Sequence, residues 1–300
     1  MHDHHDHEHE HHHHHEHTHD HEHSHCHEHG HEHGHNHHEH GHSHEHNHDH
    51  GHHHGHAHGK VLVLRPYTGI SGDIMVAGLA RMLEADQTEI DKHIAAIGVD
   101  ALKGTLSVIP HSLNEVGGWR SEVTLPHEHS HRTLADITKI IAASAMTENA
   151  KKLATDAFTI LAEAEGAVHG KEADTVSFHE VGALDSILDT CLAASLFDAL
   201  SPALFVCGPL PVCDGAVTCA HGKIPVPAPA VLKLLHGVPV RGIPSSGETV
   251  TPTGLALLKA FKASFGTWPA MQVEREAIAY GSKVFENVPN GAIFAFGESV

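Results

Sequence analysis

The spacing of apolar residues divides the chain into a polar first segment and a body of alternating strands and helices. Residues 1–59 carry almost no apolar side chains, whereas the remainder has the composition of a globular protein. Short apolar or alternating runs predict strands at Val61–Leu64, Leu102–Ile109, Glu122–Leu125, Leu204–Val206, Met271–Ile278 and Ala292–Phe296. Helical spacing predicts helices at Asp73–Leu83, Thr88–Ile97, Leu134–Ala145, Glu148–His169 and Ala230–His236, with two more after Gly182 and from Thr251.

This alternation predicts an α/β fold, with a mixed α+β arrangement as the alternative. The segments Leu102–Ile109 and Glu122–Leu125 are expected to form a hairpin or edge strands, joined by a polar stretch that contains Gly117 and Gly118. We expect two parts: a disordered tail at residues 1–59, and a single globular core of helices on a mixed sheet at residues 60–300.

The helix that follows Gly182 adjoins four candidate ligand or acid/base groups. Leu184, Leu188, Cys191, Leu192 and Ser195 recur at helical spacing, which predicts that one stripe of this helix packs against the core. The candidate groups are His179, Glu180, Asp185 and Asp189. Asp185 and Asp189 fall together on one edge of the stripe, where a cation, a proton or hydrogen bonds would offset their repulsion. The same spacing also fits an ordinary capped helix with solvated carboxylates.

The first 59 residues are a histidine tract with acidic spacers. They hold 33 of the 42 histidines, twelve acidic residues and no Lys or Arg. Neutral imidazole is a good ligand for nickel, zinc and copper, so the tract is predicted to bind metal, although imidazole alone does not select nickel. Its densest runs, and our candidate ligands, are His11, His12, His13, His14, His15, His52, His53 and His54. Storage, sequestration and delivery of metal all fit this composition.

Two further groups of candidate metal ligands lie in the body. His127, His129 and His131 form an H-x-H-x-H run before a predicted helix, and fit either a metal handover point or a plain surface loop. Cys219 and His221 offer a thiolate and an imidazole two residues apart, and fit either a metal pair or a small buried cysteine beside a loop.

Two predicted helix starts carry candidate anion-binding residues. A turn with Gly69, Ser71 and Gly72 leads into the helix that Asp73 opens, and backbone N–H groups in such a turn can cradle phosphate. Asp73 itself would cap the helix or hold a metal. A second helix start carries Thr251, Thr253 and Gly254, which suit a phosphate or carboxylate. Tight turns and ordinary helix caps use the same residue types.

Charge and cysteine content narrow the class of protein. Of the formal charge of −20, −12 lies in the tail and −8 in the body, so no basic face is expected for nucleic acid or an anionic membrane. No stretch resembles a signal peptide or a membrane span, which predicts a cytoplasmic protein. The five cysteines are an odd number in a long chain and are expected to be reduced thiols.

Four ordered motifs resemble the LarC-like nickel-insertion family. They are F-H-E-V-G-A-L-D-S-I-L-D at 178–189, G-I-S-G-D at 69–73, C-A-H-G at 219–222 with the prolines at 225–229, and E-T-V-T-P-T-G at 248–254. The resemblance spans roughly residues 60–290, which is nearly everything outside the tail.

The resemblance implies insertion of Ni(II) into a pyridinium bisthiocarboxylate mononucleotide, which gives the nickel-pincer cofactor. It implies that His179, Glu180, Asp185 and Asp189 hold the ion or take a proton, with Cys219 and His221 next. The two helix starts would hold the phosphate or carboxylate arms of the substrate. Longer members continue into a C-terminal domain associated with nickel and CTP, so CTP with Mg or Mn is expected only through that domain or a separate partner protein.

A non-catalytic nickel or zinc store, or a metallochaperone, is the alternative. In this reading the tail is the functional part and the body is a docking scaffold. Arg65 stands where the family pattern has an acid, and Val288 precedes Pro289-Asn290 where the pattern has an arginine. Both departures favour the alternative.

Overall fold

The structure is a computed structural model that describes residues 59–125, 132–178, 181–219 and 222–300. The tail candidates lie outside these ranges, as do His127, His129, His131, His179, Glu180 and His221. Of Cys219, only the backbone is described.

Within the described ranges there are seven α-helices and thirteen strands. The helices are α1 (Gly72–Met82), α2 (Gln87–Ile97), α3 (Leu134–Ala143), α4 (Glu148–His169), α5 (Leu184–Leu200), α6 (Pro229–Leu234) and α7 (Pro252–Ala260). The strands are β1 (Lys60–Pro66), β2 (Leu106–Leu113), β3 (Val116–Val123), β4 (Arg132–Thr133), β5 (Ser177–Phe178), β6 (Leu204–Cys207), β7 (Leu210–Val212), β8 (Ala216–Cys219), β9 (Gly222–Pro225), β10 (Val240–Gly242), β11 (Ser264–Phe265), β12 (Met271–Tyr280) and β13 (Ala292–Ser299).

A seven-stranded mixed sheet organises the fold, in the order β11-β6-β1-β13-β12-β3-β2. Strands β11, β6 and β1 run parallel, whereas β13 pairs antiparallel with both β1 and β12. At the other edge, β3 pairs parallel with β12 and antiparallel with β2. This mixed sheet with helices packed on it confirms the predicted α/β class.

The main core lies between one face of the sheet and the helices. Leu62 and Leu64 of β1 belong to this core, together with buried residues of α1, α4, α5 and α7. Val61 and Val63 point to the opposite face, as the alternation of a strand requires, and form a smaller cluster with Val206 and Ala295. The short loop after β1 connects this central strand to α1 in the helical layer.

Capping side chains fix the starts of α2 and α4, whose predicted bounds agree with the structure to within one residue. Asp86 accepts a hydrogen bond from the backbone N–H of Glu89 at the start of α2, which ends at the left-handed Gly98. Thr147 accepts from the N–H of Ala150, and fixes the start of α4 where it was predicted. None of the helices in the described ranges is long and apolar enough to cross a bilayer.

The predicted hairpin is present, and its turn lies within the predicted polar stretch, although both strands extend further into that stretch than predicted. The chain reverses at Asn114 and Glu115, both of which have positive φ, whereas Gly117 and Gly118 lie inside β3. Two consecutive left-handed residues form the kind of tight turn that matches strand twist. Gly118 is needed for packing, since an added Cβ there would lie 2.6 Å from the Tyr280 ring.

The stripe predicted on α5 packs against the core, with Leu188, Cys191 and Leu192 buried, but burial extends further around the helix than predicted. Buried residues run almost continuously from Ile187 to Leu196, because α5 packs against α1, α2, α4 and α7 at once. A helix in the centre of a helical layer needs apolar residues on most of its circumference. A carboxylate on such a helix is desolvated unless it lies at an end.

Candidate functional site

Two loops that are distant in sequence join at the end of β1. The loop after β1 donates the N–H of Ile70 to the carbonyl of Thr249 at 3.0 Å, and the carbonyl of Ile70 accepts from the N–H of Thr251 at 3.0 Å. Ile70 and Val250 thereby form a parallel bridge. The bridge sets the start of α1 beside the start of α7, so the two motifs predicted to bind anions are neighbours.

The glycines of both motifs are explained by close contacts with the protein itself. Gly69 has φ +143°, and a Cβ there would lie 1.6 Å from the Thr249 carbonyl oxygen. A Cβ at Gly254 would lie 2.6 Å from the Ile70 carbonyl oxygen. The space next to these two glycines is thus occupied by backbone, so the glycines alone do not indicate a phosphate cradle.

The polar residues of the two helix starts have mostly local partners. The Ser71 hydroxyl donates to Asp73 Oδ1, which also accepts from the N–H of Ile74 at 2.9 Å. Thr251 Oγ1 accepts from the N–H of Gly254 at 3.2 Å and caps α7. Thr253 is half-buried in the first turn of the same helix. Asp73 therefore acts within its own turn, and Thr251 is a helix cap.

Asp189 is the most unusual group of this region. Its Oδ1 exposes less than 1 Å² and has no hydrogen-bond partner in the part of the chain that the structure describes. The carboxyl packs on Gly72 at the start of α1, where an added Cβ would lie 2.6 Å from Asp189 Oδ2. Burial, and after it the charges of Asp73 and Asp185, raises the pKa of Asp189 well above its ordinary value.

Asp185 occupies the turn before Asp189 in a different environment. Asp185 is exposed, and its Oδ1 accepts from the N–H of Ser186 at 2.7 Å. The two aspartates that were predicted to share one edge of α5 therefore differ in solvation, since Asp185 is exposed whereas Asp189 is half-buried with its Oδ1 shielded from solvent. Asp73, Asp185 and Asp189 form the acidic group of the candidate site.

The described ranges contain no group of three or more His, Cys, Asp or Glu side chains that could hold a metal ion. His179 and Glu180 immediately precede the described Val181, and the backbone of Cys219 ends β8 in the hairpin with β9. The part of the predicted donor set that the structure places is thus Asp73, Asp185 and Asp189 alone.

Sequence reasoning missed the side chains that hold the second loop in place. Thr249 Oγ1 donates to the Pro211 carbonyl at 2.8 Å, and Cys213 Sγ donates to the Gly247 carbonyl at 3.0 Å. Their signal was present, since Thr249 lies inside the motif at 248–254 and Cys213 lies six residues after Cys207 and six before Cys219. Both side chains tie this loop to the segment that follows β6.

The prediction of reduced thiols is confirmed for Cys191, Cys207 and Cys213, which are free. Burial raises the pKa of Cys191 and of Cys207 to about 12, so less than about one thiol in a thousand is ionised at pH 8.

We expect a disulfide reagent to leave Cys191 and Cys207 unmodified in the native protein, and to modify both after unfolding in guanidinium. Peptide mass mapping checks this, and modification of native Cys191 would contradict its burial.

The fold and the acidic group define a mixed α/β protein with a candidate site at which Asp73 and Asp185 act electrostatically on Asp189. Residues 62–296 match the family described as Nickel insertion protein, and the chain belongs to that family.

Proteins provisionally named as nickel insertion proteins are similar over most of the body. The relative from Geotalea daltonii is 39% identical over 240 residues, which cover 80% of this chain and 61% of the relative. The relative from Syntrophotalea carbinolica is 40% identical over 233 residues, covering 77% of this chain and 57% of the relative. The chain therefore spans about three-fifths of the length of these relatives. No solved structure matches this chain.

Proposed function

We propose that this chain inserts Ni(II) into a pyridinium bisthiocarboxylate mononucleotide, which makes it a metal chelatase or cyclometallase of the lyase class. Membership of the nickel insertion family supports the metal and the type of process. The observation that carries the site is the Oδ1 atom of Asp189, which is buried and has no hydrogen-bond partner in the described ranges. Because a buried polar group without a partner is costly, Asp189 is better explained as a ligand or base than as a structural residue.

The acidic group would hold nickel only incompletely, and this suits insertion. Asp73 and Asp185 are close enough to Asp189 to raise its pKa, so a divalent cation among them would relieve their repulsion. The donors completing the coordination would be His179 and Glu180, with Cys219 and His221 next, together with the sulfur atoms of the substrate. A protein with a full donor set of its own would retain the ion, whereas an open set passes it on.

Formation of the nickel–carbon bond releases a proton from the pyridinium ring, and a base must take it. A carboxylate with a raised pKa is a better base than an ordinary one, so Asp189 in its ionised form suits this role. The starts of α1 and α7 lie side by side and attract anions, which suits the phosphate or a thiocarboxylate of the substrate. Residues from Gly69 to Asp73 and from Thr251 to Gly254 would line that end.

The histidine tract would recruit nickel for this site. It supplies many imidazoles with acidic spacers next to the start of β1 in sequence. CTP with Mg or Mn would act only through further parts of a longer protein or a separate partner. The alternative is a nickel or zinc store or metallochaperone, which the 33 tail histidines favour.

A calorimetric nickel titration separates the two functions. We would titrate the full chain and a variant lacking residues 1–59, each with and without the pyridinium nucleotide. Insertion predicts a saturable nickel site in the shortened variant that tightens about tenfold or more when the nucleotide is present. A store predicts several weak equivalents that disappear with the tail, and no effect of the nucleotide.

A further inference from the structure

A second polar site lies at the opposite face of β1 from the main core. Strands β1, β6 and β11 run parallel, and their carboxyl ends meet at one edge of the sheet. Arg65 is the penultimate residue of β1, Cys207 ends β6, and Gly266 directly follows β11. Crevices outside the carboxyl ends of parallel strands are common ligand sites in α/β proteins.

The Arg65 guanidinium is fixed on one side only. Its Nη1 donates to the Gly266 carbonyl at 2.6 Å, and its Cζ lies 5.3 Å from the centre of the Trp268 ring. Gly208 allows the close approach, since a Cβ there would lie 3.0 Å from Nη1. Strand ends and a glycine therefore hold the group in one orientation.

The other side of the guanidinium is unsatisfied. Nε and Nη2 of Arg65 each expose less than 1 Å² and have no hydrogen-bond partner in the described ranges. No described carboxylate lies in ion-pair range of Arg65; the charges near enough to favour its cationic form belong to Cys207 and Tyr67. Arginine remains protonated in proteins, so Nε and Nη2 form a solvent-shielded cationic edge with no counter-ion among the described residues.

The free edge has the geometry of an oxyanion receptor. Nε and Nη2 point in parallel from one side of a planar guanidinium, and such a pair binds two oxygens of a carboxylate or phosphate at once. Two large aromatic side chains near Arg65 are exposed: Trp268, whose ring lies under the guanidinium, at 47%, and Tyr67, two residues along the chain, at 39%. They offer a flat apolar surface for the rest of a ligand.

We propose that Arg65, with Trp268 and Tyr67, forms a binding site for the carboxylate or phosphate group of a small ligand. The oxygens of that group would accept hydrogen bonds from Nε and Nη2 of Arg65. The site shares no residue with the acidic group of Asp73, Asp185 and Asp189, and does not depend on the nickel function. Because both nitrogens are shielded from solvent, binding requires neighbouring side chains to move aside from the Nε and Nη2 edge.

The two tryptophans of the chain provide a direct readout. Trp268 lies on Arg65, and Trp119 lies on Arg81 with 3.9 Å between the Arg81 Cζ and the ring centre. In the variant Trp119→Phe, Trp268 is the single remaining tryptophan, so the tryptophan emission reports on the surroundings of Arg65. The reverse variant, Trp268→Phe, reports on Arg81 and is the matched control, because Arg81 has no buried unpaired nitrogen.

The experiment is a fluorescence titration of the full-length, metal-free chain with sodium phosphate and, separately, sodium acetate, at ionic strength held constant with sodium chloride. We expect Trp268 emission to change saturably with one or both anions, and Trp119 emission to remain constant. In the Trp119→Phe background, Arg65→Lys should weaken binding roughly tenfold, because lysine lacks the paired donors, and Arg65→Met should abolish it.

A response to acetate alone assigns a carboxylate ligand, and a response to phosphate alone assigns a phosphate ligand. Emission of Trp268 that responds no more than in chloride would overturn the proposal. A response that persists in Arg65→Met would also overturn it, because the anion would then bind elsewhere. If Arg65→Met does not fold, Arg65→Lys serves instead, because it keeps the charge. Anion affinity equal to that of the unsubstituted site would then overturn the proposal.

Discussion

Replacing Gly69 by alanine is expected to leave little folded protein. A Cβ at this position would lie 1.6 Å from the carbonyl oxygen of Thr249 and 2.4 Å from its carbonyl carbon, at a φ of +143°. Both atoms belong to backbone, which cannot rotate away as a side chain can. We expect the free energy of unfolding to fall by more than about 4 kcal/mol, out of a total of roughly 5–15 kcal/mol for a typical domain.

Urea unfolding followed by circular dichroism measures this effect, and Gly104→Ala is the control. Gly104 also has a positive φ of +68°, but a Cβ there would meet nothing within 4 Å. The control therefore carries only the backbone penalty of a left-handed residue, about 1–2 kcal/mol. Similar urea midpoints for the two variants would mean that the two loops are not joined at Gly69.

The helices were predictable because their signals are local. The bounds of α4 follow from Thr147, Glu148 and the apolar spacing up to His169, and the structure places them at the same residues. The hairpin was predictable from its two alternating segments, but its exact turn residues were not, because Asn114-Glu115 is a weaker turn signal than the glycine pair inside β3. Gly118 is required by Tyr280, which lies far away in sequence.

The candidate site was predictable in its residues but not in their environments. The motifs at 69–73, 178–189 and 248–254 were identified from the sequence, and the structure brings Gly69 and Gly72 of the first against Thr249 and Asp189 of the others. Helical spacing alone predicted that Asp185 and Asp189 lie on the same edge of the apolar stripe of α5. Their difference in burial depends on four neighbouring helices, which no local pattern encodes.

Replacing Asp189 by asparagine is expected to stabilise the protein at neutral pH. Burial raises the pKa of Asp189 in the folded state above the value of about 3.9 in an unfolded chain. The folded state then binds more protons than the unfolded state, so the free energy of unfolding falls as the pH rises from about 3.9 through the folded pKa. Asparagine removes this loss, and urea unfolding at pH 4 and pH 8 should show a gain at pH 8 alone.

Asp198→Asn is the matched control, because Asp198 lies on the same helix with its carboxylate satisfied. It accepts hydrogen bonds from Thr147 Oγ1 and, at 2.6 Å, from Asn149 Nδ2. Its replacement is expected to destabilise the protein slightly. If Asp189→Asn destabilises the protein at pH 8 as Asp198→Asn does, the Asp189 carboxyl has a partner and is structural.

The same pair of variants tests the proposed nickel site. In the variant lacking residues 1–59, Asp189→Asn should weaken nickel binding by about 10–100-fold, and Asp198→Asn should leave the affinity unchanged. Because Asp189 must lose its proton to bind the ion, the affinity of the unsubstituted site should rise with pH and binding should release a proton. If replacing Asp189 makes the protein more stable but weakens its binding of nickel, the aspartate serves function at a cost in stability. Unchanged nickel affinity in Asp189→Asn would instead place the ion elsewhere.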